Sequence, residues 1–236
     1  VEQYVECTHE YWRSNGKFVP NIVLRLASGG YIGGGLYHSQ NIEGALATLP
    51  GARIVCPSFA DDAAGLLRTA MRSRGFTLYL EPKALYNSVE ASSVVPEEFE
   101  VPFGKARIRR EGTDLSMITY GNTTHFCLNV AERLAQEGWS VEVIDLRSLI
   151  PLDKETIYAS VKKTSKALVV HEDKVFSGFG AEIAAGIGTE LFRYLDAPVQ
   201  RVGSVFTPVG FHPILEKAIL PTEDKIYDAA RTLLEY

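Results

Sequence analysis

Asp114–Thr164 reads DLSMITYGNTTHFCLNVAERLAQEGWSVEVIDLRSLIPLDKETIYASVKKT, and its alternation decides the fold class. DLSMITYG (Asp114–Gly121) is an apolar run of strand length closed by glycine. TTHFCLNVAERLAQEG (Thr123–Gly138) places apolar residues at helical spacing and stops at Gly138, a residue that tolerates the left-handed backbone ending a helix. WSVEVIDLRSL (Trp139–Leu149) returns to strand composition. DKETIYASVKKT (Asp153–Thr164) begins on an aspartate and ends on lysines, the charge order that complements a helix dipole. Strands and helices alternating over short connections imply a mainly parallel sheet with helices on both faces, an α/β fold.

The pattern continues outward in both directions. Downstream, KALVVHED (Lys166–Asp173) reads as a strand, GAEIAAGIGTELFRYL (Gly180–Leu195) as a helix and PVQRVGS (Pro198–Ser204) as a strand. The TPVGFHP loop follows, then a last helix, TEDKIYDAARTLLEY, with Thr222 as its cap. Upstream, NIVLRLAS (Asn21–Ser28), ARIVCPS (Ala52–Ser58) and TLYLEP (Thr77–Pro82) are predicted buried strands. NIEGALATL reads as a short helix capped by Asn41, and SFADDAAGLLRTAMRS as a longer one capped by Ser58. The first residues, VEQYVECTHEYWRSNGK, read as the end of a helix with Val1, Tyr4, Val5, Tyr11 and Trp12 as its apolar stripe, closed by Asn15-Gly16. Opening inside an amphipathic helix implies an upstream segment that is cleaved, disordered or never included. Residues 87–105, rich in Ser, Glu and Pro, hold no period and read as an interdomain linker. The expected organisation is therefore 1–86, a linker at 87–105, and a second α/β domain over 106–236.

Composition narrows the function classes. The chain has 236 residues, 46% hydrophobic and 22% charged, with a formal net charge of −5. That is the balance of an ordered globular protein, and no basic block suited to nucleic acid is present. Arg107, Arg109 and Arg110 form the densest basic cluster, read as a solvated strand or turn. Cys7, Cys56 and Cys127 are far apart and form no CxxC pair, which fits a reducing cytosol or a mitochondrial matrix. Cys56 reads as a buried small hydrophobe. No apolar run is long enough to span a membrane, and no signal peptide is evident.

The chemistry-bearing motifs are individually unspecific. Gly29-Gly30 and Gly33-Gly34-Gly35 bracket Tyr31-Ile32 in a loop that can wrap a ligand or a neighbouring chain, but GxGxxG order and a GK[ST] ending are both missing. Gly178-Phe179-Gly180 reads as a tight strand-to-helix turn rather than an anion site. His38, in a polar loop, is a candidate for proton transfer near neutral pH, and a structural loop histidine is an equal alternative. His171, Glu172 and Asp173 are adjacent and cannot all face one point, so a surface ion pair is expected. His9, His125 and His212 have no partners by spacing. No nucleophile elbow or zinc pattern occurs.

Taken together, several stretches resemble the beta subunit of the E1 component of branched-chain 2-oxoisovalerate or pyruvate dehydrogenase, in the transketolase superfamily. They are GGLYHSQNIEGALATLPGARIVCPSFADDAAGLL (34–67), LYLEPKALY (78–86), VPFGKARIRREGTDLSMITYG (101–121), VEVIDLRSLIPLD (141–153), VVHEDKVFSGFGAEIAA (169–185) and TPVGFHPILEKAILP (207–221). YHSQ and LEPK weigh most. The resemblance implies the latter part of a pyrimidine-binding domain followed by a transketolase C-terminal domain. It implies a thiamine-diphosphate-dependent oxidative decarboxylation of a 2-oxoacid, with acyl transfer to lipoyl-E2 and branched-chain substrates favoured over pyruvate.

The same resemblance implies that an alpha-type E1 subunit holds the diphosphate and Mg²⁺, that the E2 acyltransferase docks on the C-terminal domain, and that beta-type chains pair as a homodimer. His38 matches the active-site histidine of YHSQ, tied to the lipoyl acceptor. No cofactor-binding or metal residue carries over. The family's cofactor-activating glutamate and its stacking aromatic have no counterpart in 1–236, so the chain is expected to be inactive alone. Arg72-Ser73-Arg74-Gly75 stands where the family often has an aspartate, which argues against bound potassium. The competing readings are a non-catalytic dimerisation and E2-docking module, a transferase like transketolase or deoxyxylulose-phosphate synthase, and a nucleotide-binding α/β protein.

Overall fold

The computed structural model describes residues 1–236. In chain order the first part holds α1 (Glu2–Arg13), β1 (Asn21–Ser28), α2 (Gly35–His38), α3 (Glu43–Ala47), β2 (Ala52–Val55), α4 (Ala60–Arg72) and β3 (Gly75–Pro82). The second part holds β4 (Arg107–Arg110), β5 (Leu115–Thr119), α5 (Thr123–Ala135), β6 (Val141–Asp145), β7 (Ser148–Ile150) and α6 (Lys154–Thr164). It continues through β8 (Ala167–Lys174), α7 (Gly180–Glu190), β9 (Gln200–Ser204), α8 (Pro213–Ile219) and α9 (Glu223–Leu234). One sheet has the order β1-β3-β2-β7 and the other β4-β6-β5-β8-β9. Every pairing is parallel except β2 with β7 and β4 with β6. The α/β expectation, with parallel-rich sheets, is met.

Trp139–Leu149 is not one strand. Arg147 adopts φ 58°, and this left-handed residue breaks the run into β6 and β7. β7 thereby leaves its own sheet and pairs antiparallel with β2, Ile54 opposite Ile150. Two sheets are stitched through this strand, and one hydrophobic cluster runs through both. Ile54, Leu78 and Leu80 from the first sheet pack with Ile118, Ile144 and Val169 from the second, all essentially without solvent exposure. Truncating such a leucine to alanine typically costs about 2–5 kcal/mol. A second cluster fills the far side of the larger sheet, where Leu115, Val143 and Leu168 meet Leu134 of α5 and Ile226 and Leu233 of α9.

Several local expectations are corrected. β1 lies at a sheet edge and is largely half-exposed rather than buried, because edge position is set by neighbours and not by strand composition. In α1 only Tyr4 and Thr8 are buried, Tyr4 meeting Phe76 edge-on at 5.0 Å, while Tyr11 and Trp12 remain exposed. Ser58 does not cap α4. Its hydroxyl donates instead to Asp145 at 2.9 Å, with Phe59 at the cap position. Asn41 does not cap α3 either, its amide facing Glu43. Asp153 and Thr222 do cap α6 and α9, accepting from Thr156 N–H and Lys225 N–H.

Residues 87–105 lie against the body rather than loose in solvent. Val101 is buried with Val55, Leu66 and Tyr79, and Phe99 and Phe103 pack on the same cluster. Arg109 is also unlike the solvated residue expected. Its side chain is only 8% exposed, set against Asp62 and Asp145, 2.7 Å from Asp145, and its guanidinium lies 4.0 Å from the centre of the Phe59 ring. Arg147 reaches the other oxygen of Asp62 at 2.7 Å. This network ties α4 to β4, β6 and the turn before β7. Arg107 and Arg110 pair nearer the surface with Asp61 and Glu132.

Candidate functional site

The glycine loop 29–40 leaves the end of β1 and returns beside it, its neck closed by Gly29 N–H donating to Gln40 C=O at 3.1 Å. Gly29 and Gly33 take φ of +86° and +63°, and Gly35 +65°, values that only glycine adopts cheaply. At Gly29 a Cβ would also stand 2.6 Å from a Glu172 carboxylate oxygen, so a larger residue would displace that carboxylate as well as strain the backbone. The loop ends in α2, whose last residue is His38. His38 is exposed, flanked by exposed Leu36 and Tyr37, and presents its imidazole outward rather than into the core.

What fixes the loop comes from the second part of the chain. Gly30 N–H donates to Glu172 at 2.5 Å, and Gly33 N–H to Glu216 at 3.3 Å. Tyr31 O–H donates to Pro221 C=O at 2.8 Å, with its ring edge-on to Phe126 at 5.4 Å. Lys174 Nζ donates to Gln40 Oε1 at 2.6 Å, and the Gln40 amide donates to Leu36 C=O at 2.9 Å. Phe211 packs against Gly35, which carries α2.

His171, Glu172 and Asp173 form no surface ion pair: all three are buried at the end of β8. The sequence could not show this, because the two carboxylates are met by backbone N–H donors on distant loops and His171 by glycines and Tyr120 from other elements. Glu172 faces Gly30, while Asp173 accepts from Gly44 N–H at 3.3 Å. His171 turns into a pocket walled by Gly178, Gly180 and Gly203 and stacks on Tyr120 with ring centroids 6.4 Å apart. The Gly178-Phe179-Gly180 turn thus serves this packing. Glu43, which sequence reasoning passed over, is buried beside them and accepts from Tyr120 O–H at 3.1 Å. Its only signal was an acid at the start of an otherwise apolar helix.

Electrostatics follow from this burial. Loss of water pushes the Glu172 carboxyl up to about 7, a rise held back by the Gly30 N–H and Lys83 and reinforced by Glu216 and Asp173. Burial and then the Asp173 charge push Glu43 up to about 7 as well, and Asp173 is also raised, chiefly by burial. Burial, helped by the Arg201 charge, holds His171 down at about 4, so its ring is neutral at physiological pH. A cavity of about 10 Å³ lies among Ser28, Asn41, Tyr120, Asn122 and Glu172, room for roughly one water.

The remaining candidates lie elsewhere. His125 is buried with Nε2 2.8 Å from Ser58 C=O, and His212 caps α8 by accepting from Ile214 N–H at 3.3 Å. Spacing missed both partners because each arises from a turn or a tertiary contact. Arg72 pairs with Glu98 and Glu100. No group of three or more His, Cys, Asp or Glu side chains is arranged to hold a metal ion. Cys56 and Cys127 are buried thiols with raised pKa, Cys127 pushed up to about 12 by burial. No helix is long and apolar enough to cross a membrane.

A transketolase pyrimidine-binding domain model matches residues 10–89, and a transketolase C-terminal domain model matches residues 104–226. Over 226 residues, 95% of this chain and 69% of the relative, the sequence is 40% identical to the 2-oxoisovalerate dehydrogenase subunit beta of Bacillus subtilis. The chain belongs to the E1 beta-subunit family of 2-oxoacid dehydrogenases. It is also 39% identical to the pyruvate dehydrogenase E1 component subunit beta of the same organism, again over 95% of this chain and 69% of that one. The mitochondrial pyruvate dehydrogenase E1 subunit beta-1 of Arabidopsis thaliana is 40% identical over 93% of this chain and 61% of its own length. Near-equal identity to both types leaves the branched-chain preference unresolved. A split-gene transketolase, described as an inactive beta4 tetramer, superposes with a TM-score of 0.72 over 98% of this chain and 74% of that one. At 22% identity it speaks for the fold alone.

Proposed function

We propose that this beta-type chain serves the oxidative decarboxylation of a 2-oxoacid, branched-chain favoured over pyruvate, with His38 acting in acyl transfer to the lipoyl group of E2. The observation that carries the reading is the exposed imidazole of the YHSQ segment at the tip of an anchored loop, in a chain 40% identical to a 2-oxoisovalerate dehydrogenase subunit. When bound, thiamine diphosphate would supply the carbon nucleophile that adds to the 2-oxo group and the cationic ring that takes up the electron pair left as carbon dioxide departs, the pair that then reduces the lipoyl disulfide. As the lipoyl sulfur–sulfur bond opens, one sulfur takes the acyl group and the other leaves as a thiolate. His38 Nε2–H or Nδ1–H donates the proton that neutralises it.

The residues present do not frame the cofactor by themselves. The cavity beneath the loop holds about one water, and neither the groove of about 470 Å³ between β1, β3, α4 and residues 85–92 nor the one of about 610 Å³ between α3, β7 and α7 takes a lining residue from the loop. An alpha-type subunit is therefore the expected holder of the diphosphate and Mg²⁺, with residues 1–86 and 106–236 as the two domains that meet it. Exposed Leu36 and Tyr37 beside His38, with exposed Phe211, Ile214 and Leu215 in the segment whose Phe211 and Glu216 meet the loop, support a face covered in the assembly, whether by that subunit or a second beta-type chain. E2 is the acyl acceptor, and a cytosolic or matrix setting suits the free thiols.

Reconstitution tests the reading. The chain is mixed with an alpha-type subunit, thiamine diphosphate and Mg²⁺, with and without the amino-terminal third of a beta-type relative. Decarboxylation should appear only with that segment supplied. In the active mixture His38→Ala should cut acyl transfer to a lipoyl domain by about 10²–10⁴-fold, while electron delivery to a soluble dye is retained. Equal loss of both would refute the assignment.

A further inference from the structure

We infer that Glu172 and Glu216 are positioning residues that hold the histidine-bearing loop from the C-terminal domain. Their catalytic meaning rests on the function proposed for His38; the clamp itself rests on geometry alone. The loop spans residues 29–40 and is closed on itself by Gly29 N–H donating to Gln40 C=O, but it has no strand partner, so the donors at Gly30 and Gly33 are met from outside. Glu172 takes Gly30 N–H at 2.5 Å and Glu216 takes Gly33 N–H at 3.3 Å, one at the loop's start and one just before α2. Both carboxylates are buried. They stand on different elements, Glu172 at the end of β8 and Glu216 on α8. Lys174, also at the end of β8, grips the returning limb through Gln40 at 2.6 Å.

This arrangement differs from ordinary loop packing. The anchored groups are backbone amides, so the carboxylates read the path of the chain and not the identity of its side chains. The path is also tight. Besides the Glu172 contact at Gly29, a Cβ at Gly30 would meet Leu220 at 2.7 Å. A side chain at either glycine would push the Glu172 carboxylate or Leu220 aside, and α2 begins two residues after Gly33 with Phe211 against Gly35. A proton donor has to stand within hydrogen-bond reach of the atom it serves, and a misplacement of about 1 Å can cost roughly 10²-fold in rate. Fixing the loop at its N–H groups leaves the imidazole exposed while removing most of its wander.

Amide hydrogen exchange on the full chain, resolved at individual residues, tests the clamp. A buried hydrogen bond to a carboxyl oxygen resists opening enough that its loss should speed exchange at Gly30 and Gly33 by roughly 10- to 100-fold. We expect that acceleration, spreading to His38, in Glu172→Ala and in Glu216→Ala. Glu172→Gln keeps an acceptor oxygen and should restore slow exchange, and amides of β5 and β8 should be unaffected in all three. Unchanged loop exchange in both alanine variants would overturn the inference. So would acceleration shared equally by β5 and β8, which would make the carboxylates supports of the core. Glu216→Ala guards against misfolding of the more deeply placed Glu172 variant. In the assembled enzyme the alanine variants should lower lipoyl transfer at least tenfold with dye reduction retained. A loosened loop with unchanged transfer would leave the clamp standing and remove the role of His38.

Discussion

Glu172→Gln should make the stability of this protein less sensitive to alkali, and the size of the effect follows from burial. In the fold the carboxyl titrates at about 7, against an ordinary value of 4.5 in the unfolded chain. Between those values the unfolded chain gives up a proton that the folded chain keeps. Its contribution to stability is therefore fully present below pH ~4.5, falls as pH rises, and is gone above pH ~7. At about 1.4 kcal/mol per pH unit, the window corresponds to on the order of 3 kcal/mol. Glutamine keeps the oxygen that meets Gly30 N–H and titrates in neither state. Urea unfolding of both proteins at pH 4.5, 6 and 8 gives the difference directly. The variant should gain on its parent by up to about 3 kcal/mol from the lowest to the highest pH. A difference that stays constant across the series would refute the claim that Glu172 is forced to bury its charge. Glu43, also raised to about 7, should behave the same way, and because the two acids share Asp173 as a neighbour their effects should not add.

His171 supplies the opposite slope: titrating at about 4 rather than 6.5, it favours the fold above pH ~6.5 and withdraws that support as pH falls towards 4. His171→Gln should flatten the acid limb of thermal melts recorded from pH 7 to 4. Asp62 stands between Arg109 and Arg147 without solvent exposure, and Asp62→Ala, which leaves Arg147 with no acid partner and Arg109 with Asp145 alone, should cost about 3–5 kcal/mol in denaturant titration. A Cβ at Gly178 would collide with Lys174 C=O, so Gly178→Ala should destabilise by about 1–3 kcal/mol and lower the melting temperature.

The parts of this fold that were legible in sequence are those governed by local physics. Asp114–Thr164 showed its alternation because strand and helix periods are intrinsic to the backbone, and Asp153 and Thr222 showed their caps because a cap lies within three residues of its donor. What stayed hidden depends on partners far along the chain. Arg147 looks like any residue in a strand until its left-handed backbone hands β7 to the other sheet. β1 looks as buried as β3 by composition and differs only in having one neighbour. His38 stood out through its motif, not its chemistry. Glu172 and Glu216 did not, because the groups they hold are amides of glycines 142 and 183 positions away.

That distance also accounts for why so many acids are buried at one seam. Carboxylates buried without partners would be severely destabilising, yet Glu172, Asp173 and Glu216 each meet a backbone N–H presented by the other part of the chain. An apolar side chain could fill the same space at lower cost in desolvation, but only an acceptor with free lone pairs selects an N–H, and with it one course of the backbone. The seam thus exchanges some stability near neutral pH for a fixed loop path. The same exchange explains the glycines, since Gly29 and Gly30 permit the close approach that lets a short carboxylate reach the main chain. Clamp and loop are one device, and neither part of the chain contains it alone.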